Sequence, residues 1–183
     1  TLTTYYESKI ATDERTYLPY EAKEYKLFPS RSVIKFNDNV DGVDSEITEQ
    51  KVLELRNSIK KHITTYGAVM ASIYMDEYSS YYDNSHYTYC NNKCSTTNHM
   101  IAIVGWDDNK EDNLGNKGAY ICQNSYGSTY GNEGFFYVMY ADNTIEDDVG
   151  GFIRVGEIDN PEDILLYDKM DVEGAVNKNQ FVV

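Results

Sequence analysis

The chain has 183 residues, with 30 acidic and 16 basic side chains and a formal charge of −14. That length suits one domain with a core of useful size, and the negative balance argues against nucleic acid or anionic membranes as partners. No run approaches the roughly 18 apolar residues of a membrane span, and the opening residues do not read as a signal peptide, so a mature or excised segment is expected.

Along the chain, Leu2, Tyr5, Tyr6 and Ile10 have helical spacing. A proline turn follows at Leu18-Pro19-Tyr20. Val33, Ile34 and Phe36 within Ser32–Val40 predict an edge strand. Thr48 is the predicted N-cap of a helix to Tyr66, with Val52, Leu55, Ile59 and Ile63 on its apolar face and His62 on its surface. Ala68 to Tyr74 reads as the next strand. After a Tyr-rich segment to Thr97 come three short apolar runs bounded by Gly, Asn or Asp: Asn98–Trp106, Gly118–Gly127 and Gly131–Tyr140. The intervening acidic stretch 107–115 offers oxygen ligands but lacks the calcium-loop spacing of an EF-hand, so it is predicted to be a solvated hairpin loop. Asp142, Glu146, Asp147 and Asp148 are expected to be solvated in the same way. Gly150–Val155 predicts a further strand, and Val172 to Val183 has the weak pattern of a linker or a cut end.

Chemistry concentrates in the middle of the chain. If the runs from His99 and to Asn124 pair antiparallel, His99 near the start of one and Asn124 near the end of the other meet at one end of the sheet. An imidazole held by a carboxamide is two thirds of a nucleophilic triad. The three cysteines are less telling. His86, Cys90, Cys94 and His99 supply zinc-ligand types, but not on the tight knuckle that zinc sites use. A local disulfide between Cys90 and Cys94 is the favoured reading, consistent with an oxidising compartment. Cys122 lies mid-strand on the face of Asn124, where a thiol is expected to be buried and inert.

His99 with its apolar strand to Gly105, then Gln123-Asn124-Ser125-Tyr126-Gly127, then Gly131-Asn132-Glu133-Gly134-Phe135, resembles the papain-like cysteine peptidases. Val104-Gly105-Trp106-Asp107-Asp108 is most similar to their secreted bacterial branch. The resemblance implies an α+β fold: an antiparallel sheet or open-barrel lobe with packed helices, plus part of the neighbouring helical lobe. It implies residues 1–45 as the remainder of that helical lobe and crossover, 46–158 as the barrel lobe carrying His99 and Asn124, and 159–183 as an extension or linker. It places Ser72, Thr97, Asn98 and Met100 around the pocket for the second substrate residue before the cut, where the adaptable Met100 suggests an apolar or aromatic side chain. Tyr126 and Tyr130 stand where the family has tryptophans that shield the His–Asn bond. The proline turn falls where the family has one downstream of its nucleophile. The catalytic Cys and the oxyanion-hole Gln are therefore expected on an upstream segment or a second chain.

The activity implied is peptide-bond hydrolysis in a secreted or cell-surface setting, with a protein or peptide substrate and no cofactor or metal. The alternative is a pseudo-protease or binding module that keeps the fold without the chemistry.

Overall fold

Val69, Ala71 and Ile73 are buried while Met70 and Ser72 between them are half-buried, the two-residue period of a strand with one face on a core. Around this strand the computed structural model, which describes residues 20–76 and 80–157, builds a mixed eight-stranded sheet. In chain order the elements are β1 (Tyr20–Leu27), α1 (Arg31–Val40), α2 (Ser45–Tyr66), β2 (Val69–Ile73), β3 (Tyr82–Asp83), β4 (Thr88–Tyr89), β5 (His99–Glu111), β6 (Lys117–Gln123), β7 (Phe135–Met139) and β8 (Val149–Glu157). The strand order is β1-β8-β2-β5-β6-β7-β4-β3. The pairs β2–β5, β2–β8, β5–β6 and β6–β7 are antiparallel as predicted, whereas β4 runs parallel to β7. Glu24–Ile153 form one compact unit, which holds the site. The predicted N-terminal helix and the extension at 159–183 lie outside the described residues.

The core unites α2 with the inner face of the sheet: Leu55 and Ile59 meet Val69, Ile73, Ile101, Ile103, Tyr120, Phe136 and Val138. Side chains of this size each contribute about 1.5–3 kcal/mol when fully buried. Helix α2 starts four residues earlier than predicted. Asp44, not Thr48, caps it, its carboxylate accepting from the Glu46 N–H at 2.8 Å. Thr48 instead donates to Asp38 at 3.0 Å, and Lys51 reaches the other oxygen of the same carboxylate at 2.6 Å, which ties α2 to α1.

The largest departure is Ser32–Val40, predicted as an edge strand and folded as α1. Ser30 caps it by accepting from Val33 N–H at 3.3 Å. The inward stripe of α1 is buried Arg31, half-buried Ile34 and buried Asp38, helically spaced but mostly polar, so hydrophobic periodicity did not reveal it. Val33 and Phe36, which suggested a strand, are exposed.

The acidic stretch after Gly105 is also corrected. Residues to Glu111 continue β5, and the hairpin loop shrinks to 112–116, where Asp112 accepts from the N–H groups of Leu114 and Asn116. Asp108 receives Lys60 Nζ at 2.5 Å and Tyr140 Oη at 2.8 Å.

His62, expected on the helix surface, is buried against Phe28 and Tyr66. Its Nε2–H donates to the Phe152 carbonyl at 3.1 Å, while Nδ1 is sealed in without a partner among the described residues. Burial, helped by Lys26 and opposed by the Phe152 bond, lowers its pKa below the ordinary histidine value. The unfolded chain therefore takes up this proton first on acidification. The stabilisation from neutral His62 is present above an unfolded pKa of about 6.5 and is lost as pH falls below it. We expect acidification from about pH 7 to about pH 5 to lower the urea midpoint more for the wild type than for His62→Gln. Equal slopes for the two proteins would remove His62 as the cause.

Candidate active site

The register of β5 on β6 sets Ala102 opposite Gln123 and Ile103 opposite Cys122. Extended by one step beyond Gln123, it brings Asn124 level with Ile101, on the face that His99 shares by alternation. His99 Nε2 lies 2.9 Å from Asn124 Oδ1. The proton on this bond can be assigned from chemistry. The Ser125 N–H, which can only donate, points to the same Asn124 atom at 2.8 Å, so that atom is the amide oxygen and His99 Nε2 is the donor. Nδ1 is then the ring nitrogen left to work, and it has no hydrogen-bond partner among the described residues.

Asn124 itself is buried and His99 half-buried. The loop from Asn124 to Phe135 is closed on its own backbone: Asn124 N–H donates to Gly134 O at 3.0 Å, and Gly134 N–H to Tyr130 O at 2.8 Å. Gly131 makes this turn possible. Its φ is +59°, and a Cβ there would lie 2.2 Å from the Phe135 carbonyl oxygen. On this loop Tyr126 lays its ring over the imidazole, centroids 5.0 Å apart and planes 34° from parallel. Tyr130 stands behind it, packed edge-on to Tyr126 and Phe136 and stacked on Tyr82. One tyrosine thus covers the imidazole and the second supports the first.

At the other side of His99, Ser72, Thr97, Asn98, His99 and Met100 line an open pocket of about 280 Å³. The four residues assigned from sequence therefore do converge. Asn98 turns its side chain away to pair with the Met75 backbone, accepting from N–H at 2.7 Å and donating to C=O at 3.0 Å, which fixes the start of β5 against the end of β2.

None of the three thiols is bonded to His99. Cys122 is fully buried, and burial raises its pKa far above the ordinary thiol range, as expected of an inert cysteine. Burial first, then Asp142 and Asp112, pushes Cys90 up to about 12. Cys90 and Cys94 are both free, so the expected disulfide is not formed. Asn91 closes that loop instead, its Oδ1 accepting from the Lys93 and Cys94 N–H groups and its Nδ2 donating to the Cys94 carbonyl. The histidines of the weighed zinc pattern are engaged separately, His86 with Asp83 at 2.6 Å and His99 with Asn124.

Residues 2–150 match the model of the papain family cysteine protease. The chain belongs to that family. Among solved structures of the family, the clostridial cysteine protease Cwp84 after propeptide cleavage is 31% identical, with a TM-score of 0.50 over 57% of this chain and 28% of that one. The cysteine protease and lectin-like domains of Cwp84, a surface layer associated protein of Clostridium difficile, are 32% identical over 55% of this chain and 24% of that one, with a TM-score of 0.48. SERA5E from Plasmodium falciparum is 25% identical over 73% of this chain and 46% of that one, with a TM-score of 0.45. The chain thus spans about a quarter of the length of the Cwp84 chains. No curated protein matches it. Among the described residues no helix is long and apolar enough to cross a membrane.

The turn from Asp142 to Asp148 was missed. It was expected to be solvated, yet Asp142, Thr144 and Glu146 are wholly buried. Asp142 accepts from the N–H groups of Asn91, Thr144 and Ile145, and Glu146 accepts from Arg31, Arg56 and Tyr120. Asp147 receives the Ser32 N–H at 2.7 Å at the start of α1. The Asp142-x-Thr144 spacing, which suits an Asx turn, was the available signal.

Proposed function

We propose that this chain carries the His–Asn half of a cysteine endopeptidase site, completed by a thiolate from another segment of the same precursor or from a second chain. The observation that carries this reading is the 2.9 Å bond from His99 Nε2 to Asn124 Oδ1, which leaves Nδ1 without a partner among the described residues, beside the open pocket. A free thiol with a pKa of about 8.5 is mostly protonated at neutral pH, and an adjacent imidazolium shifts it toward thiolate. In the proposed reaction the thiolate attacks the scissile carbonyl and His99 Nδ1–H delivers its proton to the leaving amine. The same nitrogen then takes a proton from the water that cleaves the acyl-enzyme. Asn124 holds the ring through both steps, and as a neutral amide it orients the imidazole without adding a second negative charge. Tyr126 keeps bulk water from the Nε2–Asn124 bond, in place of the family's tryptophan.

Ser72, Thr97, Asn98 and Met100 are the proposed walls of the pocket for the second residue before the cut. A secreted or cell-surface setting is proposed on the likeness to Cwp84, itself a surface layer associated protein.

The test is to treat the full-length protein with an epoxide thiol inhibitor and map the adduct by mass spectrometry. An adduct on a cysteine outside these 183 residues is expected. Labelling of Cys90, Cys94 or Cys122 would overturn the proposed source of the thiolate. No adduct on any cysteine would overturn the peptidase reading in favour of a binding module.

A further inference from the structure

A second cavity, of about 290 Å³, opens where α2 packs beside β1 and β8, and it shares no residue with the pocket beside His99. Ser58 and Lys61, neighbours on one ridge of α2, line it together with Lys26 of β1 and Ile153 of β8. All of them belong to the compact unit Glu24–Ile153. Lys26 Nζ donates to Ser58 Oγ at 3.3 Å and lies 4.6 Å from the centre of the Phe28 ring. That tie crosses from β1 to α2 and leaves the Ser58 O–H free to donate in turn. His62 and Tyr66, their ring centroids 5.0 Å apart, complete the wall.

The charge at this cavity is the reverse of the chain's. Acids outnumber bases 30 to 16, and Arg31, Lys35, Lys51, Arg56 and Lys60 are each paired with a carboxylate. Lys26 and Lys61 line the cavity with no carboxylate partner among the described residues. The Thr65 hydroxyl is committed to the Lys61 carbonyl at 2.7 Å, so the groups left to meet a ligand are two ammonium heads, the Ser58 hydroxyl and the Tyr66 phenol. His62 registers the imbalance. Burial lowers its pKa first, the Phe152 bond opposes this, Lys26 adds to the lowering, and no carboxylate acts against them. The ring is 3% exposed and its Nδ1 has no partner among the described residues, so a proton there would add a further unmatched positive charge.

We propose that this cavity binds a compact oxyanion of the phosphate or sulfate class, as a free ion or as the end group of a monoester, held by Lys26, Lys61 and the Ser58 hydroxyl. A tetrahedral oxyanion presents acceptor oxygens in diverging directions, which suits donors arriving from both a strand and a helix through charge-assisted hydrogen bonds. A carboxylate offers its oxygens in one plane and reaches fewer of these donors. An apolar or cationic ligand would leave both ammonium groups unmatched. Liquid water takes about 30 Å³ per molecule, so the cavity has room for the carbon stump of an ester beside Ile153. A polyanion is disfavoured, because its further charges would lie against a chain of net charge −14. A bound oxyanion ties β1 to α2 and stabilises the folded protein by mass action. The site does not depend on the peptidase reading.

The experiment is titration calorimetry of the full-length protein near neutral pH, at constant ionic strength set with chloride, using inorganic phosphate, inorganic sulfate and phenyl phosphate. Calorimetry is preferred to melting temperature because phosphate and sulfate also stabilise proteins by exclusion from their surface. Saturable binding is expected, weakened about tenfold or more by Lys61→Gln and by Lys26→Gln, the scale of one hydrogen bond to a charged group. Lys61 is exposed, so its variant keeps the test decisive should Lys26→Gln disturb packing. Lys35→Gln removes the same charge from the exposed Lys35–Glu49 pair and is expected to change the affinity by about twofold or less. Tighter binding of phenyl phosphate than of the free ions would support the site with a monoester as its ligand, and the reverse order would support it with the free ion. No saturable binding of any of the three, an affinity unchanged in Lys61→Gln, or an equal loss in Lys35→Gln would overturn the inference.

Discussion

His99→Ala in the complete enzyme is expected to lower kcat/KM by roughly 10⁴-fold or more, because one substitution removes both the partner of the thiolate and the acid for the leaving amine. Folding should be little affected. His99 is half-buried at the mouth of the pocket, and among the described residues its ring bonds only to Asn124 Oδ1 and packs on Tyr126. A melting temperature near that of the wild type would therefore separate lost chemistry from lost structure. Asn124→Ala should cost less, about 10²-fold, since the imidazole stays and only its orientation is loosened. That variant also removes the acceptor of the Ser125 N–H, so its loop is freer. Activity in His99→Ala within about tenfold of the wild type would sink the assignment, and so would an Asn124→Ala defect exceeding that of His99→Ala. Thiol alkylation gives a second readout. Loss of His99 should slow alkylation of the nucleophile near neutral pH and move its pH dependence toward that of a free thiol, which a purely structural role for His99 would not do.

What could be read in the sequence divides along a physical line. The strand pair that carries His99 and Asn124 was legible because its apolar runs are local, bounded by Gly and Asn, and fixed in register by burial of alternate residues such as Ile101, Ile103, Tyr120 and Cys122. Ser72 and Met100 were placed together only through the family resemblance, and the β2–β5 register sets them opposite each other. What stayed hidden depends on polar groups whose partners lie far away in the chain. Arg31 and Asp38 gave α1 no apolar stripe, because the groups that bury them belong to the 142–148 turn and to α2. His62 looked like a favourable charge at a helix C-terminus, until Phe28, Tyr66 and Gly151 closed around it. Composition also misled: a run of acids in a chain of net charge −14 reads as solvated surface, and only the fold shows which of them are enclosed.

Among those enclosed acids Glu146 carries the largest stability prediction. Its carboxylate is fully buried and receives Arg56 Nε at 2.7 Å, Arg56 Nη2 at 3.1 Å, Arg31 Nη1 at 3.3 Å and the Tyr120 hydroxyl at 2.9 Å. Burial and then this carboxylate push the Tyr120 phenol far above its ordinary range, so the hydroxyl donates and keeps its proton. Glu146→Ala leaves two guanidinium groups largely out of water with no anion between them, and is expected to cost about 3–5 kcal/mol of unfolding free energy. A lowered urea midpoint at unchanged slope would report it. The loss follows from stranding the partners and is not the net worth of the ion pairs. Arg56→Ala should therefore be markedly less harmful in the Glu146→Ala background than in the wild type, with a coupling of about 1–3 kcal/mol. Strict additivity would show that Glu146 does not hold Arg56 in this way.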